Sequence, residues 1–221
     1  MTGKALGGRE VSVSVLDLLE VRLLSALLAA GAVLGLFLLR QMASPMTRGH
    51  RDVRASVPMR RALEIVWLAA VNVPILAVFA GAGWPELLYA PPLHVSFLWD
   101  TGVQAVGFVV FGIGGVLSLQ AIRHLGKFMT VQIAVAQDHR LVTSGPYARI
   151  RHPLYTAAML TSLGAGLFFL NVALLADFVV VVAIARYRTK LEERLLSSPQ
   201  GFGLQYRAYV ARTGRFLPRL R

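Results

Sequence analysis

Two groups of side chains carry the chemistry this chain could do. The first is the run 139–155, where His139, Arg140, Tyr147, Arg149, Arg151, His152 and Tyr155 alternate with Gly145, Pro146 and Pro153. Imidazoles, phenols and guanidinium groups so close together can hydrogen-bond a polar ligand, stack on its rings or hold an anion. By composition alone the same run also reads as a solvated connector. The second group is Arg188 and Glu192, which lie one turn apart on a single helix face. Their spacing allows a surface ion pair worth about 0.3–0.5 kcal/mol. The surface pair is the reading that spacing favours; the alternative is a pair at the mouth of a cavity, the guanidinium fork taking a carboxylate or phosphate and Glu192 taking an ammonium or a ribose hydroxyl.

Several chemistries find no support. The chain has no cysteine, so disulfides, thiolate metal sites and cysteine nucleophiles are excluded. His50, His94, His124, His139 and His152 show no i,i+4 spacing of the kind zinc sites use, and no metal is expected. There is no nucleophile-elbow sequence and no phosphate loop. Gly112, Gly114 and Gly115 follow no strand and lack the third spaced glycine of a dinucleotide fingerprint.

The elements that must position these groups are membrane helices. Of 221 residues 56% are hydrophobic and only 15% charged, with a mean hydropathy of +0.60, whereas soluble domains carry about a quarter charged residues. Apolar runs predict spans near residues 23–39, 62–83 and 101–122. The mostly apolar stretch 154–188 is too long for one crossing of a core about 30 Å thick. It reads as a helical hairpin, 153–170 and 172–188, turning at Asn171, with Pro153 in the first helical turn where its missing N–H costs nothing. Gly31 with Gly35, and the glycines of the third span, read as close helix packing. Asn72 and Pro74 fall in the middle of the second span, where Asn72 could satisfy the carbonyl that Pro74 frees or reach another helix. Asp177, inside the hairpin, must face protein or water rather than lipid. The first apolar run follows Asp17, Glu20 and Arg22 and is long enough to span, so it reads as an anchor rather than a cleaved signal.

Charge sets the orientation. Lys and Arg number 23 against 11 Asp and Glu, a net +12, and they gather in 40–61, 123–151 and the C-terminal segment, while 84–100 and the Asn171 turn have none. The positive-inside rule puts the basic segments in the cytoplasm. Five spans satisfy this, with the N-terminus outside. Anionic lipid headgroups, not nucleic acid, are then the partners of the basic face.

His139-Arg140-Leu141-Val142-Thr143-Ser144-Gly145-Pro146-Tyr147, followed by Arg151-His152-Pro153-Leu154-Tyr155, resembles the H-x-L-V-T-x-G-x-Y…R-H-P-x-Y signature of the isoprenylcysteine carboxyl methyltransferases, much of it shared by phospholipid methyltransferases. Glu192-Glu193, Phe202-Gly203, Tyr206, Tyr209, Arg212 and Pro218 are similar to the ending of the same family. The match covers roughly residues 132–218. It departs from the pattern in the longer stretch Ser197-Ser198-Pro199-Gln200-Gly201 and in Ala157, where the family has glycine.

The resemblance implies an all-α integral membrane protein of about five transmembrane helices, the last two a hairpin, with a cytosolic C-terminal segment closing a cofactor pocket. Residues 1–122 would hold three spans on the lipid side, and 123–221 the catalytic region. The implied cofactor is S-adenosyl-L-methionine, held by Gln132, His139, Arg140, Leu141, Val142, Tyr147, His152, Pro153, Leu154, Tyr155 and Glu192. Arg188 falls on the arginine that binds the substrate carboxylate, which makes Arg188 and Glu192 the catalytic pair. The implied reaction is O-methylation of a carboxylate on an isoprenylcysteine-like or other lipid-like substrate. The same superfamily includes enzymes that methylate a phospholipid amine or a small thiol. A related scaffold serves NADPH-dependent membrane reductases, where Tyr147 or Tyr155 would be the proton donor.

Overall fold

The apolar runs form helices with boundaries close to those expected. The structure, a computed structural model, describes residues 18–43, 53–90, 92–129, 133–136 and 139–219. Helix α1 is Leu18–Ala43, α2 Arg61–Gly83 and α3 Asp100–Leu125. The hairpin follows as α4, Pro153–Phe168, and α5, Val172–Ser197, and a short α6 covers Leu204–Arg212. Three helices, α1 to α3, are long and apolar enough to cross a membrane. Helix α4 is apolar but has only 16 residues, about 24 Å at 1.5 Å per residue, and α5 ends in a charged segment. The five expected spans thus stand as three full-length apolar helices and a hairpin. The N-terminal orientation concerns residues outside those described.

The hairpin turns at Asn171, which caps α5. Its side-chain oxygen accepts from the N–H groups of Ala173 and Leu174 at 3.0 and 3.2 Å, and its amide donates to the Leu88 carbonyl at 2.8 Å. A cap of this kind meets two of the donors that a helix start leaves unpaired. It also ties the turn to the connector between α2 and α3, where Val172 N–H donates to the Leu93 carbonyl at 2.8 Å. Nearby, Gln104 donates to the Phe168 carbonyl at 3.0 Å and to Tyr89 at 2.8 Å. Val21, Val78, Phe111, Phe168, Phe169 and Leu174 pack into a core at this end.

Glycines set the spacing of α3 and α4. A Cβ on Gly107 would lie 2.3 Å from the Phe168 nitrogen, and one on Gly164 would lie 2.4 Å from that of Phe111. The backbones therefore touch, as small residues permit in membrane helices. Gly114 belongs to the same seam, but Gly31, Gly112 and Gly115 do not: a Cβ on any of them would meet nothing within 4 Å. Their expected role in helix packing is corrected, since they face open space. Asn72 neither serves the carbonyl freed by Pro74 nor reaches another helix through its amide group, which donates to the Leu68 carbonyl of its own helix at 2.7 Å. Asp177 faces protein, accepting from Ser162 of α4 at 3.0 Å.

One feature departs from a purely helical plan. The segment before α2 forms strand β1, Val53–Ser56, antiparallel to β2, Ala134–Ala136. This ribbon covers a small apolar cluster of Ile133, Val135 and Leu195. A basic segment that reads as a headgroup-facing loop is thereby pinned beside the polar end of α5.

The α3–α4 contact makes a direct forecast. Gly107→Ala is expected to cost about 1–3 kcal/mol through overpacking and to lower the thermal midpoint in detergent by several degrees. Gly102→Ala, with open space around it, is expected to leave the midpoint unchanged or raise it, as helix propensity favours alanine by about 1 kcal/mol. Equal midpoints for the two variants would contradict the close contact.

Candidate active site

At the polar end of the helices, three chain segments converge. His152 precedes α4, which starts at Pro153, and Tyr155 sits on its first turn. Arg188 and Glu192 project from α5 toward it. The Tyr155 hydroxyl donates to Glu192 Oε2 at 3.1 Å and accepts from Arg188 Nε at 3.2 Å, so one phenol links both groups. Arg188 is only 4% exposed. Its guanidinium lies over the Trp67 ring of α2 at 5.5 Å, which in turn meets the Tyr155 ring at 5.3 Å, and its Nη1 is 3.9 Å from the Met59 sulfur. The surface-pair reading of Arg188 and Glu192 is therefore wrong, because the guanidinium is buried in an aromatic and thioether box.

The C-terminal segment is laid against this group by backbone and charge. Arg151 and His152 donate their N–H groups to the carbonyls of Gly214 and Arg215 at 2.8 and 3.1 Å, and Gly214 N–H returns to the Arg149 carbonyl at 3.1 Å. The Thr156 hydroxyl donates to the Phe216 carbonyl at 2.8 Å, and Tyr209 to that of Tyr147 at 2.6 Å. Behind His152 lies Glu193. Its Oε1 accepts from Arg151 Nε at 3.0 Å and Arg215 Nε at 3.1 Å and lies 3.2 Å from His152 Nε2, while Oε2 accepts from Arg215 Nη2. Burial opposes the charge of Glu193, but the hydrogen bonds from His152, Arg215 and Arg151 outweigh it and hold the carboxyl far below the usual range. On the other side of the imidazole, Nδ1 lies 3.7 Å from Glu192 Oε2.

The loop 139–147 completes the wall. The His139 ring stacks on Phe128 with centroids 4.8 Å apart and meets the edge of Phe202 at 5.4 Å. Burial pushes the phenols of Tyr147 and Tyr206 upward and that of Tyr209 up to about 12, so all three are neutral donors at physiological pH.

These groups border one cavity of about 680 Å³. His139, Arg140, Leu141, Val142, Tyr147, His152, Leu154, Tyr155, Arg188 and Glu192, all singled out from the sequence, line it. Pro153 is buried and starts α4 instead of lining the cavity. Gln132 lies outside the described residues. From the polar chamber the cavity continues between the apolar helices, along Gly31 and Gly35 of α1, Val71 and Ile75 of α2, and Gly112 and Gly115 of α3.

Sequence reasoning singled out neither Trp67, Met59 nor Arg215, and it noted Arg151, Glu193 and Tyr206 only within motifs, without an individual role. For Trp67 there was a faint signal, an aromatic inside a span and not at its edge. For Met59 there was none, because its partner is 129 positions away. Tyr206 is 1% exposed and lines the cavity, and its hydroxyl has no hydrogen-bond partner among the described residues. A buried hydroxyl left in that condition points to a ligand that satisfies it.

Comparison with known proteins matches this region. The model of the isoprenylcysteine carboxyl methyltransferase family matches residues 105–198, from α3 to just past α5. The chain is 32% identical over 136 residues to protein-S-isoprenylcysteine O-methyltransferase B of Arabidopsis thaliana, covering 60% of this chain and 66% of that protein. It is 31% identical over 119 residues to protein-S-isoprenylcysteine O-methyltransferase A of the same plant, covering 52% and 59%. To the cobalt-zinc-cadmium resistance protein CzcN of Cupriavidus metallidurans it is 34% identical over 125 residues, covering 55% and 54%. The chain thus spans from 54% to 66% of the length of these curated relatives.

The Glu193 cluster has a pH signature. A carboxyl whose folded pKa is depressed stabilises the fold above its unfolded value and loses that contribution as pH falls through the folded value. Glu193→Gln is expected to cost about 3 kcal/mol at neutral pH, since it leaves the buried Arg151 guanidinium without its counter-charge. The gap in thermal midpoint between wild type and variant should persist across the neutral range and close below the usual carboxylate range. A gap independent of pH down to strong acid would rule out this assignment.

Proposed function

Because the chain belongs to the isoprenylcysteine carboxyl methyltransferase family, we propose that it is an integral membrane methyltransferase. It uses S-adenosyl-L-methionine and methylates the carboxylate of an isoprenylcysteine-like or other lipid-like substrate. The observation that carries this reading is the single cavity joining a polar chamber to an apolar channel, with buried Arg188 in the wall where Trp67 and Tyr155 meet. A water-soluble cofactor suits the first part, an apolar chain the second, and an anionic head the guanidinium between them. In this reading five helices cross the membrane with this end cytoplasmic, which the distribution of basic residues supports.

The residues of the chamber fit the cofactor. Glu192 Oε1 accepts no hydrogen bond among the described residues, leaving lone pairs for an amino or hydroxyl group, and the Tyr206 hydroxyl is unsatisfied. His139, Arg140, Leu141, Val142, Tyr147, His152, Leu154, Tyr155 and Glu192 would hold it, with Pro153 fixing the turn and Gln132 adjoining in sequence. When bound, S-adenosyl-L-methionine supplies a methyl group on a sulfonium sulfur that is already electrophilic.

The chain then has three tasks. Arg188 fixes the acceptor carboxylate by charge-assisted hydrogen bonds. Its own direction is set by the Tyr155 hydroxyl and the Trp67 face, so it need not reorganise as the acceptor arrives. The aromatic and apolar walls exclude water and hold the reacting groups in line, which supplies much of the rate. A carboxylate is anionic at neutral pH, so no group is needed to take a proton from it. An amine acceptor would arrive protonated and would need a base, and a buried guanidinium disfavours a second cation beside it. Arg188 therefore favours the carboxylate over a phospholipid amine.

Calorimetric titration of the detergent-solubilised protein tests the cofactor. Micromolar binding of S-adenosylhomocysteine is expected, reduced at least tenfold in Glu192→Ala and His152→Ala. Binding of NADPH without S-adenosylhomocysteine would establish the reductase reading instead. Arg188→Ala is expected to lower kcat/KM for a prenylcysteine analogue by roughly 100-fold, since losing one side of a buried charged contact costs about 2–5 kcal/mol, while S-adenosylhomocysteine affinity holds. Undiminished turnover in Arg188→Ala would remove the arginine from the reaction.

Gly112→Leu tests the apolar channel separately. Filling the open space at Gly112 should raise KM for the prenylated acceptor at least tenfold and leave S-adenosylhomocysteine affinity unchanged. An unchanged KM would show that the acceptor chain lies elsewhere.

A further inference from the structure

A second site lies outside the cavity, on the exposed side of α5. Lys190, Arg194 and Ser197 stand at i, i+4 and i+7 on one helix face, and Arg215 reaches over from the C-terminal segment. With Glu193 as the fifth lining residue they bound an open groove of about 330 Å³, on the order of ten water volumes. Lys190 and Arg194 are exposed and have no ion-pair partner among the described residues. Glu193, the one acid present, is committed to Arg151, His152 and Arg215. The groove is thus strongly positive. Arg186 adds a further exposed cation four residues before Lys190. Like charges at i, i+4 repel, so an anion in the groove relieves a cost that the helix otherwise bears.

Position identifies the anion. The exposed stripe of α5 begins with Ala176, Val179, Val180 and Ala183 and continues through Arg186 and Tyr187 to Lys190 and Arg194. The face that is apolar along most of the helix becomes cationic at one end. Counted from Val172, Lys190 lies about 27 Å along the axis and Arg194 about 33 Å, at 1.5 Å per residue. The hydrocarbon core is about 30 Å thick. Lys190 therefore stands at its boundary, and Arg194 and Ser197 stand in the headgroup layer.

We propose that the groove formed by Lys190, Arg194, Ser197 and Arg215 binds the phosphate of an anionic glycerophospholipid, with its acyl chains lying along the Val179, Val180 and Ala183 face of α5. Guanidinium forks and an ammonium suit phosphate oxygens, and the Ser197 hydroxyl adds a neutral donor. A net negative headgroup is required, because the ammonium of a zwitterionic lipid would face the same cations. The site goes beyond the methyl-transfer reading and does not rest on it, needing only that α5 cross the bilayer. Through Glu193 and Arg215 it is built into the cluster that holds His152 at the cavity wall.

Native mass spectrometry of the purified full chain tests the site, with phosphatidylglycerol and phosphatidylcholine of identical acyl chains offered in equal amounts. One phosphatidylglycerol should be retained in preference. Lys190→Gln with Arg194→Gln should weaken its binding about 25-fold, roughly fivefold for each charge near the surface. Lys190→Arg with Arg194→Lys should restore it, and Arg123→Gln with Arg207→Gln should leave it unchanged. Equal retention of both lipids by the wild type would overturn the proposal. So would an equal loss in the Arg123 and Arg207 variant, which would mean diffuse attraction to a basic surface. Inorganic phosphate at the same concentration should not displace the lipid. If it does, the groove is a site for soluble phosphate and the lipid assignment falls.

Discussion

The carboxylate of Glu193 holds together what the rest of the site depends on. From its place on α5 it gathers two guanidinium groups and an imidazole from two other parts of the chain: Arg151 and His152 before α4, and Arg215 after α6. The segments around Arg151 and Arg215 lie outside the long helices. The carboxylate supplies the attraction, and the short backbone pairing of Arg149, Arg151 and His152 with Gly214 and Arg215 supplies the register. With Nε2 of the His152 imidazole on Glu193 and Nδ1 near Glu192, the ring is held at the cavity wall. Neighbouring carboxylates thus divide the work, Glu193 facing inward to structure and Glu192 facing the cavity.

The same economy governs the glycines. Gly107, Gly114 and Gly164 let the backbones of α3 and α4 approach until an added Cβ would collide. On the same helix, Gly112 and Gly115 point the other way and leave the channel between α1 and α3 open. A side chain at either set would disturb a different property, packing in one case and capacity in the other. Helix α3 is therefore both the rigid partner of the hairpin and a wall of the cavity.

Several polar groups within the helices find a protein partner, as a low-dielectric setting favours. Asn72 bonds its own helix, Asp177 takes the Ser162 hydroxyl across the hairpin, and Gln104 closes the carbonyl of Phe168 where α4 ends. Asn171 caps α5 and anchors the turn to the preceding connector. The Gln104 and Asn171 contacts fix the hairpin at its turn, remote from the polar chamber, while Glu193 fixes it at the near end. The placement of Arg188 and Glu192 opposite Tyr155 follows from both.

The sequence by itself determined the helices, the hairpin turn and most of the cavity wall. Apolar run length, Pro153 at a helix start and Asn171 between two apolar arms are local features, legible because bilayer thickness and capping act on neighbouring residues. The motifs from His139 to Tyr155 and around Glu192 were legible only through their ordered resemblance to a known family, since composition alone left that run a solvated connector. Only the tertiary structure decided which of two meanings each ambiguous residue took. Spacing could not tell a surface ion pair from a buried guanidinium. Arg188 is buried because Trp67, Met59 and Tyr155, each remote in sequence, close around it. Gly31, Gly112 and Gly115 looked like packing glycines, yet open space lies beside them, since separation between helices is a property of the pair and not of either strand of sequence. The β1–β2 ribbon, the unsatisfied Tyr206 hydroxyl and the Glu193 cluster depend on partners brought together only when distant segments fold against one another.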